Sequence, residues 1–210
     1  MTSTILFRRL LIQVFIIAFL LGCSADQDKD VDQPNKNAAA LVKEAQQLMV
    51  EHGQGEELEK ALKLTERATK VDPDYVSAYI ARINILKRMG KAEGIVKATE
   101  RLVELQPHPE NRLSLCMAQE ATGKSDGKNL ECYRQLIENI EIDSDTPDGR
   151  RETYLLALRL AGDEAFEDEL NAYLKSLDSD DDDMARELAK FKFIEKSRED
   201  LLREVAPVSH

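Results

Sequence analysis

Lys63-Leu64-Thr65-Glu66-Arg67-Ala68-Thr69-Lys70-Val71-Asp72-Pro73 returns 34 residues later as Lys97-Ala98-Thr99-Glu100-Arg101-Leu102-Val103-Glu104-Leu105-Gln106-Pro107. Five of the eleven positions are identical, and Ala68/Leu102 and Val71/Leu105 keep apolar character. Repetition at a fixed period means that one small unit, unable to bury its own apolar face, is stacked on copies of itself. Between the two copies, Val76, Tyr79, Ile80, Ile83 and Leu86 recur at helical spacing. Ile95, Val96, Thr99, Leu102 and Val103 do the same one helix later, so both stretches are expected to be amphipathic helices. Gly90 allows the chain to reverse between them. Asp72-Pro73-Asp74 stops one helix and begins the next, because proline cannot continue a helix it follows.

A 34-residue helix-turn-helix period resembles the tetratricopeptide repeat, and the columns carry the resemblance further. Tyr79 occupies the early aromatic column of the first helix of a unit, Gly90 the turn and Pro107 the terminal proline. In the preceding unit Ala61, Ala68 and Pro73 fall on the small, small and proline columns. There are departures. Arg82 stands at a normally apolar position, and Ile95 and Leu102 replace small alanines. The connection from Gly53 to Ala61 is about three residues longer than the pattern. The resemblance implies an all-α fold, with antiparallel hairpins over residues 38–177 stacked as a short right-handed solenoid. It also implies a concave surface lined by first helices. In that register Ser77, Ile80, Asn84, Lys87 and Arg88 face the groove, joined by Asn111, Ser114 and Ala118 from the next unit.

A third hairpin is looser. Leu113, Leu115, Cys116 and Met117 lie on one arm, and Leu130, Tyr133, Leu136 and Ile137 on the other, with a turn from Gly123 to Gly127. A fourth pairs 150–161 with 163–177, after a longer connection through Asp143-Ser144-Asp145-Thr146-Pro147. An acidic linker, 178–183, leads to a last helix over 184–205 carrying Leu188, Phe191, Ile194, Leu201, Leu202 and Val205. A stack of hairpins needs such a terminal cap with one polar face. Ser197-Arg198-Glu199-Asp200 resembles a capping box at which this helix breaks.

The chain begins with Arg8 and Arg9, an apolar block from Leu10 to Leu21 and then Gly22-Cys23, the layout of a secretory signal. The block contains Gln13 and is short for a membrane span, which needs ~20 residues; extending it to Ile5 would bury both arginines. Leu20-Leu21-Gly22-Cys23 resembles the lipobox of bacterial lipoproteins, which implies removal of 1–22 and lipidation of Cys23. Residues 23–37 hold almost no apolar side chains and read as a tether. By the same resemblance, Ser24 lacks the aspartate usual for inner-membrane retention. The expected location is therefore the periplasmic leaflet of the outer membrane in a Gram-negative bacterium, with acyl chains as the membrane contact. Cleavage removes two of 29 basic residues and none of 40 acidic ones, leaving a net charge of −13. Such a chain is repelled by nucleic acid.

Chemistry is sparse. His52, His108 and His210 sit in turns and at the end, and no metalloprotease, nucleophile-elbow or phosphate-loop motif occurs. No catalytic residue, metal ligand or cofactor is assigned. Asp178, Asp180 and Asp182 begin like a calcium loop, but Asp183 replaces the needed glycine and Ala189 the bidentate glutamate. The run reads better as a solvated linker whose last acids favour the following helix start. Cys116 and Cys132 lie on the two arms of one hairpin, nearly symmetric about its turn. They form either a bridge, favoured in an oxidising compartment, or two small core residues. The expected activity is non-catalytic: a lipid-anchored scaffold or adaptor for protein partners in an envelope assembly such as a pilus, secretion or outer-membrane machinery. The alternative is a helical regulator or recruiter of one envelope enzyme, such as a peptidoglycan hydrolase. Lys87 and Arg88, notable in an acidic chain, would draw an acidic segment of the partner.

Overall fold

The computed structural model describes residues 35–51, 54–123, 128–177 and 183–207. The signal segment, Cys23, the tether up to Pro34, His52, His210 and the acidic run up to Asp182 lie outside the described residues. Among the described residues there are ten α-helices. These are α1 (Lys36–Glu51), α2 (Gly55–Val71), α3 (Val76–Arg88), α4 (Ala92–Leu105), α5 (Pro109–Ala121), α6 (Asn129–Glu138), α7 (Asp148–Ala161), α8 (Phe166–Ser176), α9 (Asp183–Lys190) and α10 (Arg198–Val205). One turn of π-helix, Phe191–Glu195, follows α9. From α1 to α8 each helix packs on its sequence neighbour, the pattern of successive hairpins. No described helix is long and apolar enough to cross a membrane.

The repeated segment gives two copies of one backbone. α2 ends at Asp72 (φ −142°, ψ 92°) and α4 at Gln106 (φ −136°, ψ 90°). Each terminal amide donates four residues back, Asp72 to Ala68 and Gln106 to Leu102. Thr65 and Thr99, identical in the two copies, are both fully buried. Each hydroxyl donates 2.8 Å to a carbonyl of the preceding turn, of Leu62 and Ile95 respectively. That removes the cost of a buried polar group and leaves the methyl to pack. Gly90 turns the chain with φ +63°, a conformation that strains any residue with a Cβ.

Several helix limits differ from those read in the sequence. α1 begins at Lys36, two residues before 38, because Asn35 caps it: the Asn35 side-chain oxygen accepts from the Asn37 amide at 3.0 Å. Most of the stretch from Gly53 to Ala61, expected as a long turn, is helix: α2 already starts at Gly55, and Leu58 and Ala61 are buried. On α3 the buried face is Ala78, Ala81, Ile85 and Leu86, whereas Ile80 is exposed and Val76, Tyr79 and Ile83 only half-buried. The physical reason is close approach. Ala38, Val42, Ala68, Ala78 and Ala81 form a small core in which α1, α2 and α3 meet over alanines, and a larger side chain would hold the helices apart. Arg82, at a normally apolar position, pairs with Glu66 of α2 at 3.4 Å.

Two larger cores divide the chain. One joins α1 to α4 with Ala118 and Ala206. The other joins α5 to α8 with Ala189, Phe193 and Leu201. Fully burying a Leu, Ile or Phe contributes roughly 1.5–3 kcal/mol, so Ile85 and Ile95 in the first core and Leu155, Leu160 and Phe193 in the second are major contributors. Cys116 and Cys132 are bridged, with Cα atoms 5.8 Å apart, and tie α5 to α6. The bridge points to an oxidising, extracytoplasmic location.

The last segment, expected as a helix over 184–205 with a break at Ser197, does break there and is further divided by a π turn. α9, the π turn and α10 are three pieces. Arg159 of α7 donates to the carbonyls of Lys192 (2.9 Å) and Lys196, which the wide turn leaves without ordinary helical partners. Phe193 is thereby turned inward, edge-on to Tyr173 with ring centroids 6.1 Å apart, while Leu188, Phe191 and Ile194 are exposed. Ser197 then caps α10, its hydroxyl accepting from the Asp200 amide at 3.1 Å. α10 packs on α5.

Candidate partner-binding site

α1 packs beside α3, and α5 beside α7, but α3 and α5 make no comparable contact. At this seam between the two larger cores lies a half-open cavity of about 230 Å³. α3 contributes Ile80, Ile83, Asn84 and Lys87, and α4 contributes Ile95, Thr99 and Leu102. α5 contributes Asn111 and Ser114, and Val205 at the end of α10 completes the wall. The spacing 80, 84, 87 follows one stripe of α3, and 95, 99, 102 one stripe of α4, so two helices sharing a turn at Gly90 supply most of the lining.

The floor is apolar. Ile95, Thr99 and Leu102 are buried, and the Thr99 hydroxyl is spent on Ile95, so the cavity meets hydrocarbon there. The rim is polar. Ser114 donates to the Glu110 carbonyl at 2.9 Å, and Asn111 donates from its carboxamide to the Gln106 carbonyl at 2.9 Å, which fixes both side chains on α5. Lys87 is the one cation of the lining. Burial lowers its pKa from the ordinary value, partly offset by Glu204 of α10. A cation short of solvent gains more from an anion than a fully hydrated one does.

The structure places Ile80, Asn84, Lys87, Asn111 and Ser114, five of the residues expected at the groove, around this cavity. It does not bring the remaining groove residues there. Arg88 turns the other way and donates to the Met49 carbonyl at 2.9 Å, near the end of α1. The two neighbouring cations therefore do not act as a pair. Ser77 stands one turn before Ile80 on α3, outside the lining. Ala118 is fully buried in the core that also holds Ala206, so the C-terminal segment covers that part of α5. Ile83, Ile95, Thr99, Leu102 and Val205 are cavity residues not singled out in the sequence as groove lining. The stripe on α4 is the signal that could have found three of them; for Val205 there is none, because its position depends on a return of the chain from far away.

Among the described residues no cluster of His, Cys, Asp or Glu is arranged to hold a metal ion. The acidic run, apart from Asp183 in the first turn of α9, lies outside the described residues. No protein-family model matches the chain, and no characterised protein matches it in sequence.

Proposed function

We propose that the chain is a lipid-anchored adaptor of tetratricopeptide type that binds a protein partner at the seam cavity. In this reading Cys23 carries the acyl chains on the periplasmic face of the outer membrane, and the helical domain recruits or scaffolds envelope machinery. The observation that carries the binding step is the cavity itself: one partly desolvated lysine, Lys87, beside Asn84, Asn111 and Ser114 over an apolar floor. That combination suits an extended or terminal segment offering a carboxylate next to an apolar side chain. An adaptor needs no more chemistry than this. The disulfide is consistent with the compartment, since such bridges persist where thiols are oxidised.

The test is capture from native envelope with a photo-crosslinker at Asn84. Lys87→Met keeps the stem and removes the charge; a glutamate there would face Glu204 and confuse binding with folding. Lys87→Met should reduce capture, whereas the same change at Lys97, exposed on α4, should not. Equal loss from both would show that overall charge matters and the cavity does not. One soluble enzyme captured in stoichiometric amount, in place of a membrane assembly, would favour the regulator.

A further inference from the structure

The Cys116–Cys132 bridge stands beside the contacts that hold α10. Cys116 is one turn before Glu120 on α5, and Cys132 immediately precedes Tyr133 on α6. Those two neighbours meet: the Tyr133 hydroxyl donates to Glu120 at 2.8 Å. The same carboxylate accepts two hydrogen bonds from Arg198 of α10, at 2.7 and 2.9 Å. Leu201, the buried residue within α10, lies in the same core as Cys116 and Tyr133. α10 in turn ends at Val205, a wall of the seam cavity, and carries Glu204, whose charge reaches Lys87. Building on the binding proposed at that cavity, we propose that the bridge completes its wall through Tyr133, Glu120 and Arg198, so that the chain takes its partner only in the oxidised form.

The weak link is α6. It has ten residues, of which Tyr133 and Leu136 are buried, so little apolar burial besides the bridge holds it against α5. Without the covalent tie Tyr133 is free to leave Glu120, and the ring 5.9 Å from the Arg198 guanidinium leaves with it. The fork is then open to water on that side, where an ion pair is worth little. The loss passes directly to α10.

Bridge formation is balanced by a protein disulfide as electron acceptor. The thiolate of the half-buried Cys132 attacks that disulfide and releases one carrier thiol. The thiolate of the buried Cys116 then attacks the Cys132 sulfur, closing the bridge and releasing the second. Two protons and two electrons leave with the carrier as a dithiol. A chain still in a reducing compartment lacks the wall, and competence follows export.

Hydrogen exchange on the full-length chain, oxidised and after reduction with tris(2-carboxyethyl)phosphine, tests this, with Arg198→Met as the second perturbation. Reduction should speed exchange of 198–206 at least ~5-fold more than that of α1 and α2. In Arg198→Met, where α10 is already loosened, reduction should add almost nothing there. Uniform acceleration along the chain, no change at 198–206, or an equal effect of reduction in parent and variant overturns the proposal; the bridge is then only a clamp of α6 on α5. Photo-crosslinking at Asn84 completes the test with Cys116→Ala/Cys132→Ala, which spares other disulfides of the envelope. Its capture should fall ~5-fold or more below that of the bridged parent. Full capture by this variant, with fast exchange at 198–206, also overturns the proposal. No capture even by the bridged parent would count against binding at the cavity, while the exchange cycle still decides whether the bridge holds its wall.

Discussion

Arg198→Met should loosen the C-terminal helix from the rest of the domain. The Arg198 guanidinium donates to both carboxylate oxygens of Glu120, Nε to Oε1 at 2.7 Å and Nη2 to Oε2 at 2.9 Å, and from Nη1 to the Leu160 carbonyl at 2.8 Å. Its centre lies 5.9 Å from the Tyr133 ring. Tyr133 is fully buried and donates its hydroxyl to Glu120 at 2.8 Å. Burial, with that donation, pushes the phenol pKa far above its ordinary value, so Tyr133 remains a donor at any working pH. One arginine therefore ties α10 to both α5 and α7. The Glu120 side chain is 12% exposed and that of Arg198 43%. Removing one partner of a buried pair costs ~3–5 kcal/mol, and an exposed pair is worth under ~1 kcal/mol. With one end wet, the expected loss is about 2 kcal/mol, or ~4–8 °C in Tm for a domain of this size.

A double-mutant cycle with Glu120→Gln separates the pair from its surroundings. The amide keeps the shape but points a donor at a donor, so each single change breaks the fork, and the double variant should cost less than the sum by ~1–2 kcal/mol. Hydrogen exchange supplies the local readout: amides of 198–206 should lose protection while those of α1 and α2 keep theirs. An additive cycle, a loss below ~0.5 kcal/mol, or protection lost evenly along the chain would refute the reasoning.

Reducing the Cys116–Cys132 bridge, which closes a loop with a sequence separation of 16, should cost ~3 kcal/mol and lower Tm by ~6–12 °C; an unchanged melt in reductant would show that packing alone holds α5 to α6. Cys23→Ser should abolish labelling by metabolic palmitate, and label retained on the variant would remove the lipid anchor from the proposed function.

The repeated segment made the helical hairpins legible, because identical residues were asked to do identical work. Thr65 and Thr99 bury the same hydroxyl against the same turn, and Asp72 and Gln106 end their helices alike. Much of the cavity was also legible, since the register that orients Ile80, Asn84 and Lys87 needs only the helical period. What local pattern could not show was contact between distant elements. Hydropathy ranked Ile80 and Ile83 above Ala78 and Ala81 as core of α3. Burial followed the reverse order, because α1 and α2 approach close enough to exclude anything larger than alanine there. Arg88 reads as a groove cation until the carbonyl of Met49, 39 residues earlier, claims it. The break before Ser197 was legible in its capping-box pattern; the π turn ahead of it was not, because Arg159, more than thirty residues before, captures the carbonyls of Lys192 and Lys196.

These long-range contacts also explain why a cavity exists at all. Had the hairpins stacked without interruption, α5 would have packed on α3 as α3 does on α1, and Ile80, Ile83 and Leu102 would be ordinary core. Instead α10 returns along α5 and inserts Val205 and Ala206 at the seam, so that Val205 touches both larger cores. The space is thus defined by three helices, α3, α4 and α5, and by the position of one helix end. That end is held by Arg198, which does not line the cavity. Arg198→Met should then weaken capture at Asn84 even at temperatures where the domain remains folded, because freeing α10 removes a wall and also withdraws Glu204 from Lys87. Undiminished capture by a variant whose α10 amides have lost protection would show that the α3–α5 face binds without its C-terminal wall.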